Sequence, residues 1–206
     1  MDEYQLLRLA HVLGLVLMGA GLVGVFVCDL RSRQCSDLAL FSQMVNLIAL
    51  FYDGIVVPGA LLLLGSGVWM IANHHGGWEF LDTPWLVGMV ALFAFEFIEG
   101  NTVTRLYFLR MRRLCAQSLE QRDWTAQLLD ERGQRLASFT HFLDLPMLFA
   151  IVALGVLRPT SWSAFLAGCL LALSVATFLF FLMPRLYPWR TPLGPARQFE
   201  TKGYRP

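Results

Sequence analysis

Long apolar runs alternate along the chain with short polar or charged stretches. Five of the runs are about as long as a helix must be to cross a hydrocarbon core of about 30 Å, which takes about 20 residues. They cover roughly 6–28, 45–72, 85–111, 139–157 and 162–183. Lipid cannot satisfy an unpaired peptide group, so each run is predicted to be a helix that closes its own hydrogen bonds. The third is the least pure, because it holds Glu96, Glu99 and Asn101, yet its aromatic and aliphatic filling keeps it among the spans. The first follows an acidic leader, "MDEYQ", is too long for a cleaved signal and has no A-x-A site after it, so it reads as a retained helix. The fold expected is all-α: a polytopic membrane bundle with a four-helix core plus a fifth, C-terminal transmembrane helix.

Residues 1–184 then form one transmembrane domain with no separate soluble domain. Residues 112–137, "RLCAQSLEQRDWTAQLLDERGQRLAS", are the one sizeable loop, a charged connector that could carry the third helix onward as an amphipathic extension. The tail, 185–206, is rich in Pro and Arg, which disfavours a helix and suits either disorder or docking on a partner.

Composition agrees with this pattern. Of 206 residues, 56% are hydrophobic and 15% charged, far more apolar material than one small soluble core needs. The net charge of +1 and the lack of a basic strip interleaved with aromatics exclude a nucleic-acid surface. Fifteen arginines against one lysine set the orientation by their placement. Arg31 and Arg33 follow the first span; Arg110, Arg112, Arg113, Arg122, Arg132 and Arg135 follow the third; Arg185, Arg190, Arg197, Lys202 and Arg205 lie in the tail. The intervening "NHHGGWEFLDTP" has neither Lys nor Arg, and "RPTSWS" has only Arg158. The positive-inside rule places the N-terminus outside and the C-terminus inside, as an odd number of spans requires. A multi-pass protein of a bacterial-type inner (plasma) membrane is expected, with the bilayer and either a second copy or another membrane protein as partners.

Four cysteines without C-x-x-C spacing do not make a disulfide framework or a thiolate zinc site. A phosphate loop, a dinucleotide fingerprint and a serine-nucleophile motif are absent. Gly14, Gly19, Ala20, Gly21 and Gly24 give the first helix a narrow face suited to close helix packing.

Chemistry is concentrated in ionisable groups placed where lipid makes them costly. Counted at 1.5 Å per residue from each helix midpoint, Asp53, Glu99, Asn101, His141 and Asp144 lie roughly 3–10 Å toward the cytoplasmic side, with Glu96 near the midplane. Glu96/Glu99 and His141/Asp144 are i, i+3 pairs on single helix faces. Such a layer suits a proton relay, a ligand pocket or a metal site, or a structural network in which Arg105 neutralises the acids. A second layer lies outward: His11, about 9 Å from the midplane, with Met89 and Met70 at similar depth, a set that could supply axial ligands to a haem. His74 and His75 sit on an exposed loop and could close a surface metal site.

The stretches "LLRLAHVLGLVLMGAGLVGVFVCDLRSR", "YDGIVVPGALLLLGSGVWMI", "PWL" at the head of the third span and "FLDLPMLFAIVALGVLRP" resemble the superfamily of HemJ-type protoporphyrinogen oxidases and CopD-like copper-resistance proteins. They resemble still more a sister family of uncharacterised predicted integral membrane proteins. The resemblance covers about residues 5–160 and leaves out the fifth helix and the tail. It implies a four-helix core, haem b held by His11, and an acidic residue and proline, Asp144 and Pro146, opening the fourth helix. Met89 and the acidic stretch around Glu99 stand where the oxidases carry a lysine and a histidine, which points away from protoporphyrinogen oxidase chemistry. The function expected is a haem-b-associated or metal-associated redox protein with an intramembrane proton-relay layer. The alternatives are a cofactor-free permease for a small solute or metal ion, or an accessory subunit of a membrane complex.

Overall fold

The computed structural model describes residues 2–193, and among these every regular element is a helix. The first apolar run becomes α1 (Glu3–Arg33). The second forms one continuous rod from α2 (Leu38–Phe51), a π segment (Tyr52–Val56) and α3 (Val57–His74). The third has the same plan: α4 (Pro84–Glu99), a π segment (Gly100–Thr104) and α5 (Arg105–Gln121). A short α6 (Ala126–Glu131) precedes α7 (Arg135–Leu157) and α8 (Trp162–Leu186). Counting each rod once, five helices are long and apolar enough to cross a membrane.

Both π segments have identifiable causes. Pro58 has no N–H and its ring presses on the preceding turn, so a widened turn relieves a position an unbroken α-helix would strain. In the third rod, Asn101 Nδ2 donates to the Phe97 carbonyl at 2.8 Å and Thr102 Oγ1 donates to that of Ile98 at 2.7 Å, side-chain bonds to the preceding turn of the kind that loosens a helix. The two widened turns meet. A Cβ on Gly100 would lie 2.5 Å from the Tyr52 hydroxyl, so the glycine leaves the room that this hydroxyl occupies.

The small-residue face of α1 packs against α3 at backbone contact. A Cβ on Gly14 would lie 2.9 Å from the Gly59 carbonyl oxygen, and one on Gly59 would lie 2.6 Å from the Met18 nitrogen. α7 packs against α1 and α4, while α8 covers α7 and the flank of α4, where Phe165 fills the space over Gly88. Between α4, α7 and α8 lies an apolar cavity of about 440 Å³, lined by Leu92, Pro146, Phe149 and Phe165 among others.

At the arginine-rich end the rods run on past their apolar stretches. The stretch 112–137 is mostly helical: α5 continues to Gln121, and α6 is capped by Thr125, whose hydroxyl accepts from the Leu128 N–H at 3.3 Å. Leu38, Phe41, Met111, Cys115, Trp124 and Leu128 are buried together there, a core of the kind found in soluble proteins. The chain after α8 folds back onto this end. Arg190 N–H donates to the Arg33 carbonyl, Leu193 N–H to that of Ser36, and Gln34 Nε2 to that of Pro188, at 3.0, 3.0 and 3.1 Å. The remainder of the tail, with Arg197, Lys202 and Arg205, lies outside the described residues.

Pro146 is placed differently from the expectation of a helix opening at its own turn. α7 starts at Arg135, so Pro146 is internal, and the Phe142 carbonyl loses the N–H it would otherwise accept from position 146. The helix begins earlier than the apolar run because Ala137, in its first turn, is buried in the main core cluster.

Candidate functional site

α7 carries His141 and, one turn on, Asp144, both buried. The imidazole lies between two carboxylates. Nε2 is 3.9 Å from Asp29 Oδ2 on α1, and Nδ1 is 3.6 Å from Asp144 Oδ2. Both separations exceed a direct hydrogen bond, and both ring nitrogens and Asp144 Oδ2 have no hydrogen-bond partner. Phe26, Phe108 and Phe142 surround the ring, with centroids 6.2, 5.5 and 5.5 Å away.

Asp29 is itself buried and ion-paired with Arg33 one turn later, Nε to Oδ2 at 3.0 Å. The Arg33 guanidinium, only 3% exposed, is stacked over the rings of Phe142 at 5.3 Å and Trp189 at 4.7 Å. Toward the bundle centre come Glu99 and, one turn before it on α4, Glu96, both buried. Glu99 Oε1 accepts from Thr104 Oγ1 at 3.0 Å, and Thr104 is 3.3 Å from the Thr140 hydroxyl on α7. The result is a buried polar file, Arg33–Asp29–His141–Asp144, with a second buried group, Glu99–Thr104–Thr140 and Glu96, on the neighbouring turns of α4 and α7.

Of the layer expected from the sequence, Glu99, His141 and Asp144 come together and Asp53 does not. Asp53 lies on the outer face of its rod in a 2.8 Å bond to Arg105, and each side chain is 39% exposed. Arg105 therefore neutralises Asp53 and not the buried acids. Asn101 is engaged with its own helix. Sequence reasoning missed Asp29, Arg33, Thr104 and Thr140. Asp29 and Arg33 fall beyond the apolar run at 6–28, where Arg33 counts only as a topology charge. Their i, i+4 spacing in phase with the buried positions Val25 and Cys28 was the available signal.

In the outward layer, the Ser66 hydroxyl donates to the Leu62 carbonyl at 2.6 Å and so can accept the Nδ1 proton of His11 at 3.0 Å. With the proton on Nδ1 the Nε2 lone pair is available, the orientation a ligating imidazole has. Met89 packs with the α4–α7 cluster, its sulfur 3.4 Å from where a Cβ on Gly155 would lie, while Met70 sits on α3 one turn beyond Ser66. His74 is exposed and meets the Tyr4 ring edge-on at 5.0 Å, and His75 is exposed at the end of α3. Among the described residues no three His, Cys, Asp or Glu side chains are grouped to hold a metal ion. Cys28, Cys35, Cys115 and Cys169 are all free thiols. Burial pushes the Cys35 thiol, in the turn between α1 and α2, above its ordinary range, which favours the less nucleophilic protonated form.

A family profile described as a predicted integral membrane protein (DUF2269) matches residues 5–159. The chain belongs to the DUF2269 family. The matched part runs from the first turn of α1 to just past α7, so it contains every member of the buried file, while α8 and the returning tail are additions to the DUF2269 core. No curated protein and no solved structure matches the chain.

Proposed function

We propose that this DUF2269 protein handles protons inside a plasma membrane of bacterial type, its C-terminal, arginine-rich end facing the cytoplasm, with Asp29, His141, Asp144 and Glu99 as the relay. The observation that carries the reading is the imidazole of His141: buried, without a partner at either nitrogen, and flanked by a carboxylate on each side. Neutral imidazole takes a proton at one nitrogen and releases one from the other, so a proton arriving from Asp144 at Nδ1 can leave from Nε2 to Asp29. Gaps of 3.6 and 3.9 Å are closed by a small side-chain movement or a bridging water. Glu99, with Thr104, extends the path toward Glu96.

Proton flux into liposomes holding the purified protein, driven by an imposed potential, tests this directly. His141→Gln keeps volume and polarity but cannot relay, and is expected to lower the flux by about 100-fold or more, the usual contribution of a positioned proton-transfer group. A His141→Gln protein that conducts like the parent overturns the proposal.

A second reading rests on a different observation, the Ser66-oriented imidazole of His11 with its free Nε2. The resemblance of the motif order to that of HemJ-type proteins suits a haem b at that nitrogen, which would supply one-electron chemistry fed with protons by the same relay. An optical spectrum of the purified protein, before and after dithionite, decides it. A Soret band lost in His11→Ala establishes the redox protein; protein that carries no haem despite ample supply leaves a cofactor-free permease or accessory subunit built around the relay.

A further inference from the structure

Asp53 is the only charged residue between Asp37 and Glu79, and it lies sixteen positions from Asp37, about 24 Å along a helix. It lies within the apolar run 45–72, on the arginine-rich side of its midpoint, yet it and Arg105 are each 39% exposed on the outer face of the bundle. The surface around them is apolar: Leu50 beside Asp53, and Ile98 and Leu106 alongside Arg105, are all exposed. Charged side chains within spans face a bundle interior or a polar cavity, and a surface ion pair there is costly when lipid covers it. The pair is independent of the buried file and takes no part in the proposed relay.

We propose that this face is where a second copy of the chain docks, with the Asp53–Arg105 pairs of the two copies closing on each other about a two-fold axis along the membrane normal. The patch is self-complementary, as a two-fold interface must be, since it holds one acid and one base side by side. The bond within the chain uses Arg105 Nε and Asp53 Oδ1, so the terminal guanidinium nitrogens and Oδ2 have donors and lone pairs to offer outward. A different partner protein would be recognised by a surplus of one sign, and this patch has none. Small residues permit close approach: Gly54 is exposed with only Leu50 near where its Cβ would stand, at 3.8 Å, and Thr102 is exposed one turn before Arg105. Docking here brings the two pairs of π segments together while leaving α8 and the arginine-rich end free.

The test uses the full chain in native membranes. Gly54→Cys treated with a short bis-maleimide is expected to give a covalent dimer as the main species, whereas Leu170→Cys on exposed α8 gives monomer. Asp53→Arg and Arg105→Asp, expressed separately, each carry a patch of one sign and are expected to lose the dimer; co-expressed, they are expected to recover it as a mixed dimer. Should the single-sign variants fail to fold, the crosslinking of Gly54→Cys and the mass of the parent protein released from membranes still decide. A parent that is monomeric, a dimer in which Gly54→Cys does not crosslink, or a complex with another protein on this face overturns the proposal.

Discussion

Arg33 is a guanidinium with almost no access to solvent, and Asp29 one turn away carries the matching charge. Breaking a buried pair by removing one partner leaves an uncompensated charge, at a cost of about 3–5 kcal/mol, whereas replacing both by apolar groups is often neutral. Asp29→Asn is therefore expected to lower stability by about 3 kcal/mol or more, and Asp29→Leu combined with Arg33→Met to recover most of it. Unfolding of the two variants in detergent measures the difference; equal losses would show that Asp29 and Arg33 do not depend on each other. This pair was also hard to read from the sequence. Hydropathy marks where the lipid-facing pattern stops, and for α1 that is at Cys28, immediately before Asp29 and about a turn before Arg33. His141, Asp144 and Glu99 were legible because a polar residue inside an apolar run stands out, but Asp53, equally conspicuous, faces outward, because the buried stripe of its rod runs through Val45, Ile48 and Tyr52.

Among the elements, the α1–α3 crossing depends on glycine at one point more than elsewhere. Gly59→Ala puts a methyl 2.6 Å from the Met18 nitrogen, a backbone atom that cannot swing aside, so the helices must separate. Overpacking of this kind costs about 1–3 kcal/mol. Gly65→Ala on the same helix meets nothing within 4 Å and is expected to be neutral or to stabilise by up to about 1 kcal/mol through helix propensity. Thermal unfolding of both variants checks the contrast, and similar effects would mean that the crossing tolerates a looser fit. The five spans follow from sequence because helix length and apolarity together leave lipid no other solution. The start of α2, the end of α5, α6 and the beginning of α7 do not, since beyond the hydrocarbon an amphipathic helix and a charged connector have similar composition. The returning segment is less legible still, because its anchor is one tryptophan between two arginines of distant elements, Arg33 and Arg132, with centroid distances of 4.7 and 5.1 Å. Trp189→Ala is expected to free that segment and raise maleimide labelling of Cys35 several-fold; labelling that stays as slow as in the parent would mean that the backbone hydrogen bonds hold it alone.

For the whole molecule, the boundary of the family match divides the chain into a core of four spans and an added fifth. α8 meets only apolar surface on α7 and α4, surface that lipid covers at little cost. A chain ended at residue 160 is expected to melt earlier than the parent yet still protect Cys28 and Cys115 from maleimide, and rapid labelling of either would show that the core needs α8 to fold. The contact of Gln34 with Pro188 spans 154 positions, and the chain crosses four times between them. An even number of crossings returns Pro188 to the side of Gln34; a missed or reversed span strands it on the other. The strap thus acts as a parity check on membrane threading, made only once the fifth span has emerged, and a protease that cuts loose segments would find Trp189 free only on chains that had threaded wrongly.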